Sequence, residues 1–425
     1  MGLDSIRKLG SLGGFGKKLA KSASPMGIPV GLGLPIAVDF GIGSLKVIQL
    51  EAGSTPKLVA ATCLETPDEL LNDHAARLQF QFKALPKLIR EGGFKGKRAV
   101  CTIPAWQTAC KCLQFPKTEG VSVADMVKVA LPSQLGVPTE SLVYRFIDVS
   151  GAAQPGTTEV IVLAAARDQV ESLMAGLVNA KLEPVGMQSE FIAAVRAFDH
   201  VTSRESDAKL TTLYLDLGSG STKVMIAHGR QLAFARLIDI GGRHLDDLTA
   251  KQLDCGLAEA RSQRLAMTLD RKAAPVAVGG GAAEAGETAA VDAPTATAER
   301  RSEQSKTPGF GGNLLEQELV HVVPDPACLD EPLEILIDEV RVCLRYHASQ
   351  FPGRKIDRAV FVGGESRHRG LCQHIARGLR LPAQTADPLA WIGRTGTEPA
   401  KGVDMKQPQP GWAVALGLCL SPTDL

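Results

Sequence analysis

Aromatic residues are scarce in this 425-residue chain, 4% of the total, so any core must be built mainly from Leu, Val, Ile and Ala. Charge of one sign is missing too. Forty-seven Lys and Arg face 46 Asp and Glu, leaving +1, which argues against the strongly basic face of a nucleic-acid binder. No long hydrophobic run is present near the N-terminus. Residues 25–38 are uncharged until Val38 but are broken by Pro29, Gly31, Gly33 and Pro35, whereas a spanning helix needs about 20 apolar residues. The nine cysteines are scattered, with no C-x-x-C and no zinc-like histidine pair beside the near neighbours Cys110 and Cys112. They read as thiols of a reducing cytoplasm. His368, Cys372 and His374 fall on a predicted helix whose faces separate 368 from 374, which speaks against a shared metal. What remains is an ordinary globular composition, 44% hydrophobic and 22% charged, long enough for two to four structural units.

The most informative feature is a duplication. Residues 38–48 read VDFGIGSLKVI, and residues 215–225 read LDLGSGSTKVM. Asp, Gly, Gly, Ser, Lys and Val coincide in register, and apolar runs flank both copies. The pattern predicts strand, tight glycine turn, strand, with an aspartate ending the first strand each time. Turns of small residues expose backbone N–H groups, a nest suited to an anion. Two such hairpins, half a chain apart, imply two related α/β halves gripping a triphosphate, with Mg²⁺ near both aspartates. A third segment fits the same picture. Residues 359–362 (AVFV) form a short buried strand, Gly363-Gly364-Glu365-Ser366 a close-approach turn, and a helix follows through Gly370, Leu371 and Ile375, with Ser366 expected as its cap.

These elements, in this order, resemble the actin-like ATPase superfamily, and within it the FtsA/PilM branch and the PilM family of type IV pilus platform proteins. Residues 115–117 (FPK), a helix over 123–131, Gly136-Val137-Pro138 and residues 144–148 (YRFID) are similar to the subdomain inserted in that branch. The helix beginning at Trp412 is similar to its final inter-half helix. The resemblance implies an actin-like fold of two duplicated α/β halves with an inserted α+β subdomain in the first. It implies that Asp39 and Asp216 orient water-bound Mg²⁺. Gly41, Gly43, Ser44 and Lys46 match the first phosphate hairpin, and Gly218, Ser219, Gly220, Ser221 and Thr222 the second. Glu190 stands where a residue orients the attacking water, Glu259 matches a ribose-contacting acid, and Gly363, Gly364, Ser366 and Arg367 match the adenosine segment. Two departures stand out. Ile42 occupies a place often held by Ser or Thr, and Ser262, between Arg261 and Arg264, a place often held by Lys. Both leave nucleotide binding intact and speak against fast hydrolysis.

The expected layout is a basic tail over residues 1–30, a first half over 31–209 with the insertion about 113–182, and a second half over 210–425 interrupted by a disordered, Ala/Gly/Thr-rich loop about 273–312. Arg7, Lys8, Lys17, Lys18 and Lys21 against Asp4 allow the tail a weak contact with a membrane surface. The resemblance implies a cytoplasmic scaffold peripheral to the inner membrane, with ATP and Mg²⁺ between its halves. Its implied partner is a PilN-like single-span membrane protein, held by its cytoplasmic N-terminal peptide; pilus assembly ATPases would be further partners, and nucleic acid none. Enzyme activity is expected to be at most a slow ATPase. Two alternatives are a slow ATPase or kinase of the same superfamily, and the actin-like platform component of a type II secretion system. A helix over Leu333, Ile335, Leu336, Ile337, Val340, Leu344 and Tyr346 reads as core. The small residues Ala413 and Gly417 predict a close helix contact between the halves.

Overall fold

The structure, a computed structural model, describes residues 33–149, 156–202, 204–267, 269 and 325–421. The expected basic tail and the 273–312 loop lie outside the described residues.

The first half opens with β1 (Ile36–Phe40), β2 (Ser44–Glu51) and β3 (Lys57–Glu65), then α1 (His74–Glu91), and β4 (Arg98–Ile103). Next come β5 (Ala109–Pro116), α2 (Val123–Leu135), β6 (Leu142–Asp148), β7 (Thr157–Ala166), α3 (Arg167–Asn179), β8 (Glu183–Ser189) and α4 (Glu190–Arg196). The second half holds β9 (Thr211–Leu217), β10 (Thr222–His228), β11 (Gln231–Ile238), α5 (Gly242–Leu253), α6 (Leu257–Ala266), α7 (Asp330–Gln350), β12 (Arg358–Val362), α8 (Arg369–Leu379) and β13 (Ala383–Thr385). Two residues of β14 (Ala400–Lys401) then return to the first sheet, and α9 (Ala413–Cys419) ends the described fold.

The duplication is plain in the strand orders. The first sheet runs β14-β3-β2-β1-β4-β8 and the second β11-β10-β9-β12-β13. In each, an antiparallel meander leads into parallel strands on the far side of its first strand. β1 and β9 are buried along their whole length, as a central strand covered on both faces requires. That explains their unbroken apolar runs, with aspartate only where each strand ends.

Helices α1 and α3 cover the outer face of the first sheet through Leu85, Leu88, Leu173 and Leu177. Helices α7 and α8 cover that of the second through Leu333, Val340, Leu371 and Ile375. Between the sheets, one shared core joins Ala37 and Ile48, Phe191 and Ala193 of α4, Met225 and Ala227, and the apolar residues of α9. Helices α4 and α9 pack so closely that a Cβ on Gly417 would overlap the Ala193 carbonyl. Only glycine allows that approach.

The insertion is a sheet of order β5-β7-β6, whose own core forms from Val127 and Leu131 of α2 against Val160 and Val162. Its strands begin at Ala109, a little before the expected boundary. Helix α3, expected inside the insertion, instead gives its apolar face to the first-half core. Two further expectations are corrected. Ile335 and Tyr346 are exposed rather than core, because they stand off the stripe made by Leu333, Leu336, Ile337 and Val340. Ser366 does not cap α8. It lies in a 3-10 turn over Gly364–Arg367 and donates its hydroxyl to the Gly363 carbonyl at 3.0 Å. Among the described residues no helix is long and apolar enough to cross a membrane.

Candidate functional site

A cavity of about 1060 Å³ lies between the halves, lined by both hairpins and by the turn after β12. The register repeats: Lys46 stands opposite Asp39 on β1–β2, and Lys223 opposite Asp216 on β9–β10. The two turns meet at its floor. Side chains added at Gly43 and Gly220 would abut Ser219 and Ile42, respectively. Ile42 thus uses its apolar surface against the opposite hairpin.

Each turn is held from behind by its carbonyls. The buried Gln81 amide donates to Gly41 O at 2.8 Å, and Thr66 N–H donates to Gly43 O at 3.0 Å. In the second hairpin, Gly242 N–H and Arg243 N–H at the start of α5 donate to the Gly218 and Ser219 carbonyls at 3.0 and 2.8 Å. With these four carbonyls engaged elsewhere, a turn of small residues lining the cavity suits an anion through its remaining N–H groups.

The acids on the floor are buried. Thr102 donates its hydroxyl to Asp39 Oδ1 at 3.4 Å and accepts from Phe40 N–H at 3.3 Å. Burial pushes the Asp39 carboxyl up to about 6, Lys46 and Lys223 pulling it down and Glu190 and Asp216 pushing it further up. Lys223 Nζ lies 2.6 Å from Glu190 Oε2 and 3.0 Å from Asp216 Oδ2. Burial alone depresses an ammonium, but these two carboxylates more than reverse this and hold Lys223 above its ordinary value. Glu190 is the first residue of α4, whose N-cap Ser189 accepts from Phe191 N–H.

The third segment closes the other wall. Gly363 has φ +93°, and a side chain there would collide with Leu217 O and the Asp216 carboxylate. Behind it, the buried Arg264 of α6 donates to Asp246 at 2.6 Å and to Glu365 at 2.8 Å. At the mouth, two contacts cross from half to half: Arg261 to Asp68 at 3.0 Å, and Arg243 to Asn72. Trp106, stacked on His74 at 4.2 Å, forms part of the rim.

Of the residues expected here, Asp39, Gly41, Gly43, Ser44, Lys46, Glu190, Asp216, Gly218, Ser219, Gly220, Ser221, Gly363, Gly364, Ser366 and Arg367 line this one cavity. Thr222 and Glu259 do not. Thr222 turns its hydroxyl to the Ile240 carbonyl at 2.8 Å, and Glu259 lies exposed in the first turn of α6. Sequence reasoning missed Lys223 as a site residue, although it coincides with Lys46 in the repeat. It also missed Gln81, Thr102, Arg264 and Trp106. Nothing in their local sequence marks them, because each reaches the site through tertiary packing.

Two lobes of the same strand order, closing on a cleft to which each contributes an aspartate-bearing hairpin, make this an actin-like ATPase fold. The family model for the type IV pilus assembly protein PilM matches residues 37–274, more than half of the chain, and the chain belongs to that family. The solved PilM–PilN type IV pilus biogenesis complex is similar to it over 91% of this chain and 97% of that one, with TM-score 0.66 and 18% identity. At that identity the likeness speaks for the fold. The ethanolamine utilization protein EutJ from Carboxydothermus hydrogenoformans has TM-score 0.47 and 14% identity, covering 92% of this chain and 90% of its own. MreB 5 of Spiroplasma citri bound to AMPPNP has TM-score 0.44 and 13% identity, covering 92% and 95%.

Proposed function

We propose that this member of the type IV pilus assembly family is a nucleotide-binding scaffold that takes ATP between its halves. The observation that carries the reading is the pair of hairpins facing one cavity with their carbonyls tied back. Gly41, Gly43, Ser44 and Lys46 on one side, and Gly218, Ser219, Gly220 and Ser221 on the other, would hold the phosphates. Gly363, Gly364, Ser366 and Arg367 would meet the nucleoside. A cavity of about 1060 Å³ is ample for a nucleoside triphosphate. Catalysis of hydrolysis is not favoured. Glu190, the residue that would orient a water, has Lys223 at 2.6 Å on one oxygen. Its role, with Asp39 and Asp216, is then to set the charge of the floor.

The Mg²⁺ expected beside Asp39 and Asp216 does not fit this donor set well. Asp216 and Glu190 share Lys223, so an oxygen of each is already engaged by a cation. We assign no step to a metal.

The partner we propose is a PilN-like membrane protein, bound through its cytoplasmic N-terminal peptide against the first half and its insertion. The support is family membership and the PilM–PilN complex among the similar structures. Binding to such a protein would place the chain in the cytoplasm, at the inner membrane. Nucleotide acts on that partner only if ATP binds one opening angle more tightly than another.

Thermal unfolding with and without ATP tests the nucleotide reading. Ligand at 100 times its dissociation constant adds about 2.7 kcal/mol, and each kcal/mol shifts Tm by roughly 2–4 °C for units of this size. The expected rise is about 5–10 °C, reduced in Lys46→Ala, which takes a positive charge from the phosphate side of the cavity. No rise with the unaltered protein would refute the site.

A further inference from the structure

We propose that Lys223 is a built-in cation of the cleft, standing where a divalent metal would, so that the chain binds a nucleoside triphosphate without requiring Mg²⁺. The proposal rests on the nucleotide reading above and specifies the charge partner of that site.

The geometry is that of a resident counter-ion. Lys223 projects from β10 opposite Asp216, lines the cavity with both of its acidic partners, and is only 12% exposed at the side chain. Its ammonium bridges Glu190 of α4, in the first half, and Asp216 of β9, in the second, at 2.6 and 3.0 Å. It therefore sits at the seam between the halves, where a phosphate chain would lie. An ammonium carries three donors. Two are directed at Glu190 and Asp216, which leaves one for a phosphate oxygen.

Magnesium makes the opposite demand. It asks for near-octahedral oxygen at about 2.0–2.1 Å and gives up its waters reluctantly. An ammonium 3.0 Å from Asp216 Oδ2 occupies that oxygen and repels a second cation close by. With Lys46 opposite Asp39, the floor holds three carboxylates and two ammonium groups, so these side chains by themselves leave one net negative charge, less than a divalent ion carries. The two positive side chains face incoming phosphate instead.

The test is calorimetric titration of the full chain with ATP, once in excess Mg²⁺ and once in EDTA. The expected dissociation constants agree within about threefold. Binding about tenfold or more weaker in EDTA overturns the proposal and leaves the nucleotide site standing. No binding in either buffer overturns the nucleotide reading and this inference with it. Lys223→Met removes the ammonium, and Lys223→Arg keeps a positive charge. We expect Lys223→Met to need Mg²⁺, binding ATP about tenfold or more weakly in EDTA, and Lys223→Arg to bind alike in both. A Lys223→Met protein that binds ATP as the parent does, in both buffers, sinks the assignment. Lys223→Met strands two buried carboxylates, so Lys223→Met/Glu190→Gln serves if the single variant fails to fold, with the same expected metal dependence.

Discussion

Asp39 shows how burial and charge compete at one residue. It lies almost wholly buried at the end of β1, with the Thr102 hydroxyl at 3.4 Å and its pKa lifted from 3.8 to about 6. A carboxyl raised in the folded state contributes most to stability below its unfolded pKa. That contribution is lost as pH rises through the folded value, here between about 4 and 6. Asp39→Asn should therefore stabilise the ligand-free protein at about pH 7.5, by on the order of 1–3 kcal/mol, and the gain should vanish near pH 4. Urea unfolding at the two pH values measures it; a loss of stability at the higher pH would contradict the account. At this scale the sequence was a good guide to the hairpins and a poor one to their supports. Asp39 and Asp216 repeat in register. Gln81 and Thr102 come from α1 and β4, and only folding brings them behind the turn.

Among the elements, α9 carries the clearest constraint. Its Gly417 faces the Ala193 backbone of α4, and even a methyl group would have to displace main chain. Overpacking typically costs 1–3 kcal/mol, and backbone has no rotamer with which to yield. Gly417→Ala is thus expected to lose about 3 kcal/mol or more in chemical denaturation, and Gly417→Leu to hinder closure further, read as weaker ATP binding. Near-parental stability of Gly417→Ala would show that the two helices can separate freely. Spacing of Ala413 and Gly417 was enough to expect a close contact, because small residues four apart share one helix face. It did not name α4 as the neighbour. The same limit explains Ile335 and Tyr346. An apolar residue one position off the buried stripe looks like core in sequence, and only the placement of α7 on its sheet exposes it.

Across the whole molecule, two side-chain bridges clasp the mouth of the cleft, Arg261 to Asp68 and Arg243 to Asn72. The Arg261–Asp68 pair is roughly a third exposed, so it should contribute no more than about 1 kcal/mol. That suffices to bias an opening equilibrium severalfold. Asp68→Ala/Asn72→Ala should release ATP several times faster in stopped-flow displacement, with little change in Tm; an unchanged release rate would deny the clasp a part in closure. Sequence alone settled the two-half plan and the position of the glycine hairpins that line the cleft, since an Asp-x-Gly-x-Gly-Ser pattern flanked by apolar strands has few other solutions and here occurs twice. Tertiary structure decided the rest. Which carboxylates share Lys223, what holds each turn, how the insertion divides from α3, and which residues span the mouth all depend on side chains far apart in the chain. Their contacts are set by packing, which leaves no local pattern to read.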